Sequence, residues 1–151
     1  QQSIRALSVK LKHNANKILV NGKRVILIDD SIVRGTTSIK IVQMMRDAGA
    51  AEVHMKIASP PIRYQNVFGI DMPAIKELVA YKRTLRQIKN YIGADELIYQ
   101  DLEDLRLSAS IGNPKITEYE DSVFTGNYCD KHVTADYLDN LEKQRKDRLR
   151  S

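Results

Sequence analysis

The stretch VILIDDSIVRGTTS, residues 25–38, decides the fold. Its first four residues are apolar and β-favouring, without the alternation of a half-buried strand, so they predict a central parallel strand that is apolar on both faces. Asp29 and Asp30 follow directly, and a loop of small and hydroxyl-bearing residues comes next. Because two adjacent carboxylates repel each other, we expect a ligand to relieve that repulsion.

The sequence after this stretch predicts a βαβ unit. Apolar residues recur at helical spacing from Thr37 until Gly49, a typical helix stop. Val53, Met55 and Ile57 then alternate with polar residues and predict a second strand. Further elements are expected as follows: a helix opened by Pro73 that carries Leu78 and Val79, a helix ending near Gly93, a strand at 97–99, a helix from Leu102, a break at Asn113-Pro114, and a final amphipathic helix near Tyr137. The fold class is therefore α/β.

The loop after the first strand is the candidate site. Ligands of parallel sheets bind beyond the carboxyl ends of the strands, and a helix N-terminus attracts anions through free N–H groups. A phosphate ligand that also offers vicinal hydroxyls or a bound Mg²⁺ would satisfy both the anion cradle and the carboxylates. The alternative is that Asp30 or Ser31 merely caps a turn or a helix. The candidate binding residues are Asp29, Asp30, Ser31, Arg34, Gly35, Thr36, Thr37 and Ser38.

Composition limits the class of protein. The chain has 151 residues, 42% of them hydrophobic and 28% charged, which predicts a soluble globular domain. No apolar run of about 18 residues suggests a membrane span, and no signal peptide is evident. A single cysteine, Cys129, favours a reducing compartment, the cytoplasm. The basic residues near the C-terminus (Lys143, Arg145, Lys146, Arg148 and Arg150) favour a solvated helix end over a nucleic-acid arm, because no aromatic residues lie among them.

The stretch at 25–38 resembles the phosphoribosyl pyrophosphate (PRPP) motif of type I phosphoribosyltransferases. DDSIVRGTTS is similar to one branch of these, the amidophosphoribosyltransferases, and the resemblance continues through MMRDAGAAEVH, SPPIRY, FGIDMP, YIGAD, LIYQDL and SVFTGNY. It implies a parallel sheet flanked by helices and a helical tail. Residues 1–112 would be the C-terminal part of the phosphoribosyltransferase domain, with the PRPP loop at 25–38, and residues 113–151 a C-terminal extension that ends in a helix.

The resemblance also implies an activity. Ammonia released from glutamine displaces pyrophosphate from PRPP and gives 5-phosphoribosylamine, the first step of purine synthesis. Asp29 and Asp30 would hold the ribose hydroxyls or the Mg²⁺ attached to them, and residues 34–38 would wrap the 5′-phosphate. Arg5, Lys10 and Lys12 could face pyrophosphate, and residues 69–73 could contribute to binding of inhibitory purine nucleotides. We expect no nucleic-acid or membrane partner. We expect a homo-oligomer, because a partial sheet leaves an open edge.

Two features of the family are missing here. Position 1 is Gln, where the glutaminase domain of the family begins with a nucleophilic cysteine, and the first strands and the pyrophosphate loop of the phosphoribosyltransferase domain are missing too. We therefore expect a piece of a larger enzyme that is inactive by itself. Some members carry an iron–sulfur cluster, which needs cysteine thiolates. Asn66 and the cysteine-free YEDSVFTG stand where those members have ligands, so we expect no cluster. Cys129 is expected to be an inert or surface thiol.

Two other functions share the motif. A nucleobase salvage phosphoribosyltransferase would show a small hood for the base, and a PRPP-sensing regulator would add a nucleic-acid-binding region such as a helix-turn-helix. The sequence shows neither feature.

Overall fold

The computed structural model describes the backbone of residues 15–148 and the side chains as far as Arg145. The strands are β1 (Arg24–Asp29), β2 (Glu52–Ile57) and β3 (Glu96–Tyr99). The helices are α1 (Lys17–Val20), α2 (Thr36–Asp47), α3 (Leu85–Ile92), α4 (Leu102–Ser110), α5 (Ser122–Thr125) and α6 (Ala135–Arg148), with one 3₁₀ turn at Ile75–Glu77. None of the helices in this described part is long and apolar enough to cross a membrane.

The strands form a parallel sheet in the order β1-β2-β3. Leu27 lies opposite Met55, and Met55 lies opposite Leu97, so these three side chains share one face. That face belongs to the core, where it packs with Val42 of α2 and Ile88 of α3. The predicted βαβ unit, β1-α2-β2, is confirmed, and it brings the end of β1 to the carboxyl edge of the sheet.

The prediction that β1 is buried on both faces is wrong for the described residues. β1 lies at the edge of the three-stranded sheet. Ile26 and Ile28 point away from the core, with 56% and 79% of their surface exposed. Both helices that pack on the sheet core, α2 and α3, lie on the opposite face, so the isoleucine face has no cover within residues 15–148.

The predicted helix after Pro73 is also wrong. Only the single 3₁₀ turn Ile75–Glu77 forms; Leu78 is then extended, and residues 79–82 form a turn. Leu78 and Val79 are almost fully buried, and the Val79 N–H donates to the Val33 carbonyl oxygen at 2.7 Å. A continuing α-helix would need the Val79 N–H to donate to the Ile75 carbonyl oxygen, whereas this N–H is already used by Val33.

Residues after 112 pack back on the segment that follows β2. The N–H groups of Arg63 and Tyr64 donate to the Val123 carbonyl oxygen at 2.9 and 3.0 Å. The Tyr128 hydroxyl donates to the Gln65 carbonyl oxygen at 2.8 Å. The predicted final helix is present as α6. Two backbone hydrogen bonds and one from a tyrosine hydroxyl therefore fasten the 122–128 region to residues 63–65.

Asp95 ties β2 to the turn before β3. Its Oδ2 accepts hydrogen bonds from the Val53 N–H at 2.6 Å and from Arg46 Nη2 at 2.9 Å. The hydrogen bond from Val53, with the nearby Arg46 guanidinium, holds the pKa of the Asp95 carboxyl below its ordinary value of 3.8. The carboxylate thus stabilises the fold most when it is charged.

Asp95→Asn should lower the free energy of unfolding by about 1 kcal/mol. This is less than the usual contribution of a charge-assisted hydrogen bond, because 37% of the Asp95 side chain is exposed to solvent. The folded-state pKa is depressed, so this stabilisation is present above pH 3.8 and is lost as the pH falls through the lower folded-state pKa. Urea midpoints measured across that range should show the difference between the two proteins shrinking. Asp104→Asn, an exposed charge removal, is the control, and a pH-independent difference for Asp95→Asn would contradict the assignment.

Candidate functional site

The two aspartates lie where β1 ends, before the loop that leads into α2. Asp29 Oδ1 accepts a hydrogen bond from the Asp30 N–H at 3.0 Å, and the Ser31 hydroxyl donates to Asp30 Oδ1 at 3.2 Å. The N-cap position of α2 is Gly35, and no side chain caps it. The alternative that Asp30 or Ser31 caps this helix is therefore wrong.

The N-terminus of α2 is shaped to receive an anion. Gly35 has a φ of +77°, and its carbonyl oxygen accepts the Ile39 N–H at 2.9 Å. The N–H groups of residues 36–38 precede that first helical bond and have no side-chain cap. Free N–H groups and the helix dipole give this end a partial positive charge, which favours phosphate.

A cavity of 280 Å³ opens between the end of β1 and the start of α2. It brings together seven of the eight predicted binding residues, whereas Asp30 is not among those that line it. Ile32 and Val33, which the sequence analysis did not include, also line it. The complete lining is Asp29, Ser31, Ile32, Val33, Arg34, Gly35, Thr36, Thr37 and Ser38.

The loop is supported from behind by the core. A Cβ atom added at Gly35 would lie 3.1 Å from Val79 Cγ2 and 3.2 Å from Tyr91 Cε1. Ile32 is buried with only 2% of its surface exposed. Close packing and positive φ together explain why glycine occupies position 35, and the packing supports the cradle from behind.

Arg34 has a partner that no local pattern could reveal. Its Nε donates to Glu77 Oε2 at 2.9 Å, although the two residues are 43 positions apart. Glu77 belongs to the 3₁₀ turn that the sequence analysis expected to be part of a longer helix. Arg34 lines the loop cavity and also a second cavity, so this ion pair lies at the border between them.

The second cavity, of 420 Å³, separates the 3₁₀ turn from α6. Glu142 Oε1 accepts the Ile75 N–H at 3.0 Å, and Arg145 Nη1 donates to the Pro73 carbonyl oxygen at 3.5 Å. The interpretation of the basic tail as a solvated helix end therefore does not hold for Arg145. The lining is Arg34, Asp71, Met72, Pro73, Ala74, Glu77, Leu141, Gln144 and Arg145, which includes three residues of the predicted 69–73 segment.

Three other sequence predictions concern a metal ion, the thiol of Cys129 and the basic residues near the N-terminus. Within the described residues, no group of three or more His, Cys, Asp or Glu side chains is placed to hold a metal ion. Cys129 is an exposed free thiol, and its hydrogen-bonded neighbour Glu120 raises the thiol pKa, which disfavours the reactive thiolate. Arg5, Lys10 and Lys12 lie outside the described residues.

Comparison with curated sequences shows which proteins this chain is similar to. It is 49% identical over 146 residues to the amidophosphoribosyltransferase of Escherichia coli, and 44% identical over 144 residues to that of Saccharomyces cerevisiae. The aligned regions cover 97% and 95% of the chain. The chain belongs to the amidophosphoribosyltransferase family. It spans 29% and 28% of the length of these two relatives. No protein-family model matches the chain.

Solved structures agree with this family. A glutamine PRPP amidotransferase from B. subtilis, complexed with ADP and GMP, superposes with a TM-score of 0.68 at 43% identity, over 85% of this chain and 29% of the other. A structure described as the allosteric regulatory enzyme of purine biosynthesis gives a TM-score of 0.69 at 39% identity, over 85% and 28%. The predicted fold, a parallel sheet flanked by helices with a helical tail, is confirmed.

Asn66, which stands at a cluster-ligand position of some amidophosphoribosyltransferases by resemblance, shapes a loop here. The side chain is buried, and its Oδ1 accepts the N–H groups of Phe68 and Ile70 at 2.9 and 3.0 Å. In the YEDSVFTG stretch, Asp121 Oδ2 accepts Arg106 Nε at 2.8 Å. Hydrogen bonding thus occupies both places, and the absence of a cluster from the enzyme stays a prediction.

Proposed function

We propose that this chain is the PRPP-binding part of an enzyme that makes 5-phosphoribosylamine from PRPP and glutamine-derived ammonia, the first step of purine biosynthesis. The observation that carries the proposal is the single cavity lined by seven residues of the PRPP motif, at an uncapped helix N-terminus beside Asp29. In this proposal residues 1–112 complete a phosphoribosyltransferase domain, and residues 113–151 form its C-terminal extension.

The roles follow from the position of each group. The 5′-phosphate is bound by the N–H groups at the start of α2, by the hydroxyls of Thr36, Thr37 and Ser38, and by the charge of Arg34. Asp29 and Asp30 bind the ribose 2′- and 3′-hydroxyls at the end of β1. Oxygen acceptors on one side and N–H donors on the other match a sugar phosphate, whose hydroxyls donate and whose phosphate accepts.

Asp29 and Asp30 also fit a Mg²⁺ ion that arrives with PRPP. Mg²⁺ usually takes one or two protein carboxylates, and waters and substrate phosphate oxygens complete its coordination. A pair of aspartates is therefore a sufficient protein contribution, and no larger cluster is needed. When bound, the ion would neutralise charge on the leaving pyrophosphate.

Displacement at C1′ requires stabilisation of positive charge. Ammonia forms the new C1′–N bond, the C1′–O bond to pyrophosphate breaks with its electron pair leaving on oxygen, and ammonia loses a proton. The transition state resembles an oxocarbenium ion. Asp29 lines the cavity in which the sugar is placed, so its fixed negative charge can stabilise that ion.

We further propose that purine nucleotides inhibit the enzyme, that it works as a homo-oligomer, and that it is cytoplasmic. The B. subtilis relative was solved with ADP and GMP, which supports the first statement. The cavity lined by Asp71, Met72 and Pro73 adjoins the PRPP loop through Arg34 and offers room for part of a nucleotide.

Isothermal titration calorimetry on the purified chain tests the proposal. PRPP with Mg²⁺ should bind at one site per chain, and pyrophosphate should compete. Ribose 5-phosphate should bind more weakly because it lacks the pyrophosphate group. No saturable PRPP binding by a folded chain would contradict the proposal.

The same titration separates the alternative functions. A salvage phosphoribosyltransferase should bind a purine base after PRPP, and a PRPP-sensing regulator should bind double-stranded DNA or RNA. Neither a base nor a nucleic acid should produce a signal with this chain if the proposed function is correct.

A further inference from the structure

We infer that Glu77 is a positioning residue for Arg34, holding its guanidinium at the border of the loop cavity with the two terminal amino groups left for the phosphate. This inference rests on the proposed function, because it concerns the same site. It adds a residue outside the PRPP motif, separated from it by 43 positions and joined to it by an ion pair of 2.9 Å.

Glu77 is itself firmly placed. Its Oε1 accepts the Ala74 N–H at 3.2 Å, and its backbone N–H donates to the Ala74 carbonyl oxygen at 2.8 Å. The next residues, Leu78 and Val79, are buried, and Val79 bonds to Val33 of the loop. The carboxylate therefore projects from a turn that is anchored in the core on one side and on the PRPP loop on the other.

The geometry of the ion pair leaves Arg34 able to bind an anion. Glu77 engages Nε, and no partner among the described residues takes the N–H donors of Nη1 and Nη2; Arg34 also lines the loop cavity. A guanidinium offers its N–H donors in one plane. When Nε is already bound to Glu77, the side chain loses less conformational freedom on binding phosphate through Nη1 and Nη2 than an unbound arginine would. Arg34 and Glu77 are 49% and 42% exposed, so the pair contributes orientation more than stability.

A competing role for Glu77 predicts the opposite sign. If the carboxylate drew Arg34 away from the phosphate, its removal would free the guanidinium and tighten binding. If the carboxylate positions Arg34, its removal in Glu77→Ala weakens PRPP binding. Glu77→Gln preserves PRPP binding, because glutamine keeps an oxygen that accepts from Nε and removes the repulsion of the phosphate. Alanine and glutamine at the same position therefore decide between the two roles.

The experiment measures the dissociation constant of PRPP with Mg²⁺ by calorimetry for the unsubstituted chain, Glu77→Ala and Glu77→Gln. Glu77→Ala should bind about two- to fivefold more weakly, the range expected for a half-exposed pair, and Glu77→Gln should bind at least as tightly as the unsubstituted chain. Glu118→Ala removes an exposed glutamate outside both cavities and should change nothing. Glu77→Ala binding that equals or exceeds that of the unsubstituted chain would overturn the inference.

A second readout needs no ligand. In ¹⁵N-detected arginine spectra, exchange of the Arg34 Nε–H with water should be slow in the unsubstituted chain and in Glu77→Gln, and faster in Glu77→Ala. Unchanged exchange would overturn the positioning role even if PRPP binds. If PRPP does not bind but the exchange of the Arg34 Nε–H changes as expected, the ion pair between Arg34 and Glu77 is supported. That result would overturn the role of the pair in phosphate binding together with the proposed function.

Discussion

Asp29→Asn is expected to weaken PRPP binding about ten- to a hundredfold, because a charge-assisted hydrogen bond to a bound ligand contributes about 1.5–3 kcal/mol. Asp29 lines the cavity, and asparagine keeps an oxygen that can accept the Asp30 N–H. The local turn should therefore survive. Asp30 does not line the cavity. Asp30→Asn should nevertheless weaken PRPP binding, because it removes a proposed contact with the ribose hydroxyls or Mg²⁺.

The stability of these variants separates ligand binding from a structural role. Neutralising one of two adjacent acids removes repulsion, so thermal midpoints without ligand should stay equal or rise. Asp47→Asn, the same charge change at the far end of α2, is the control for net charge. A lowered midpoint with unchanged PRPP affinity would show that Asp29 serves only the turn.

Gly35→Ala is expected to lower the free energy of unfolding by about 2–5 kcal/mol. The residue has a φ of +77°, which costs a residue with a Cβ about 1–2 kcal/mol. The new methyl group would also approach Val79 and Tyr91 at 3.1 and 3.2 Å, and overpacking typically adds about 1–3 kcal/mol. Because the cradle must shift to relieve these contacts, PRPP affinity should fall in the protein that remains folded.

Gly22→Ala provides a matched control for this substitution. Gly22 has a similar φ of +69°, but nothing lies within 4 Å of the added Cβ atom. Only the conformational cost, about 1–2 kcal/mol, should appear in urea unfolding, and PRPP affinity should be unchanged. Equal losses for the two alanines would show that packing behind Gly35 contributes nothing.

The candidate loop could be located from the sequence because its chemistry is contiguous. Residues 29–38 contain the acids, the glycine and the hydroxyls in one run, and the periods on either side identify a strand and a helix. The same reasoning could not find Glu77 or Val79, which reach the loop only through the tertiary fold. It also predicted a helix after Pro73. A sequence pattern cannot reveal a long-range backbone hydrogen bond such as that from Val79 to Val33, which takes the place of a helical bond.

The exposed face of β1 has a consequence for the chemistry of the loop. Ile26 and Ile28 carry no cover in the described residues, and Ile28 directly precedes Asp29. A surface that covers these isoleucines and extends past the end of β1 would displace water beside the aspartates and lower the local dielectric constant there. Attraction between the carboxylates and a bound cation grows as that constant falls. In the proposed function, the affinity of the aspartates for a cation would therefore depend partly on what packs against this face of the sheet.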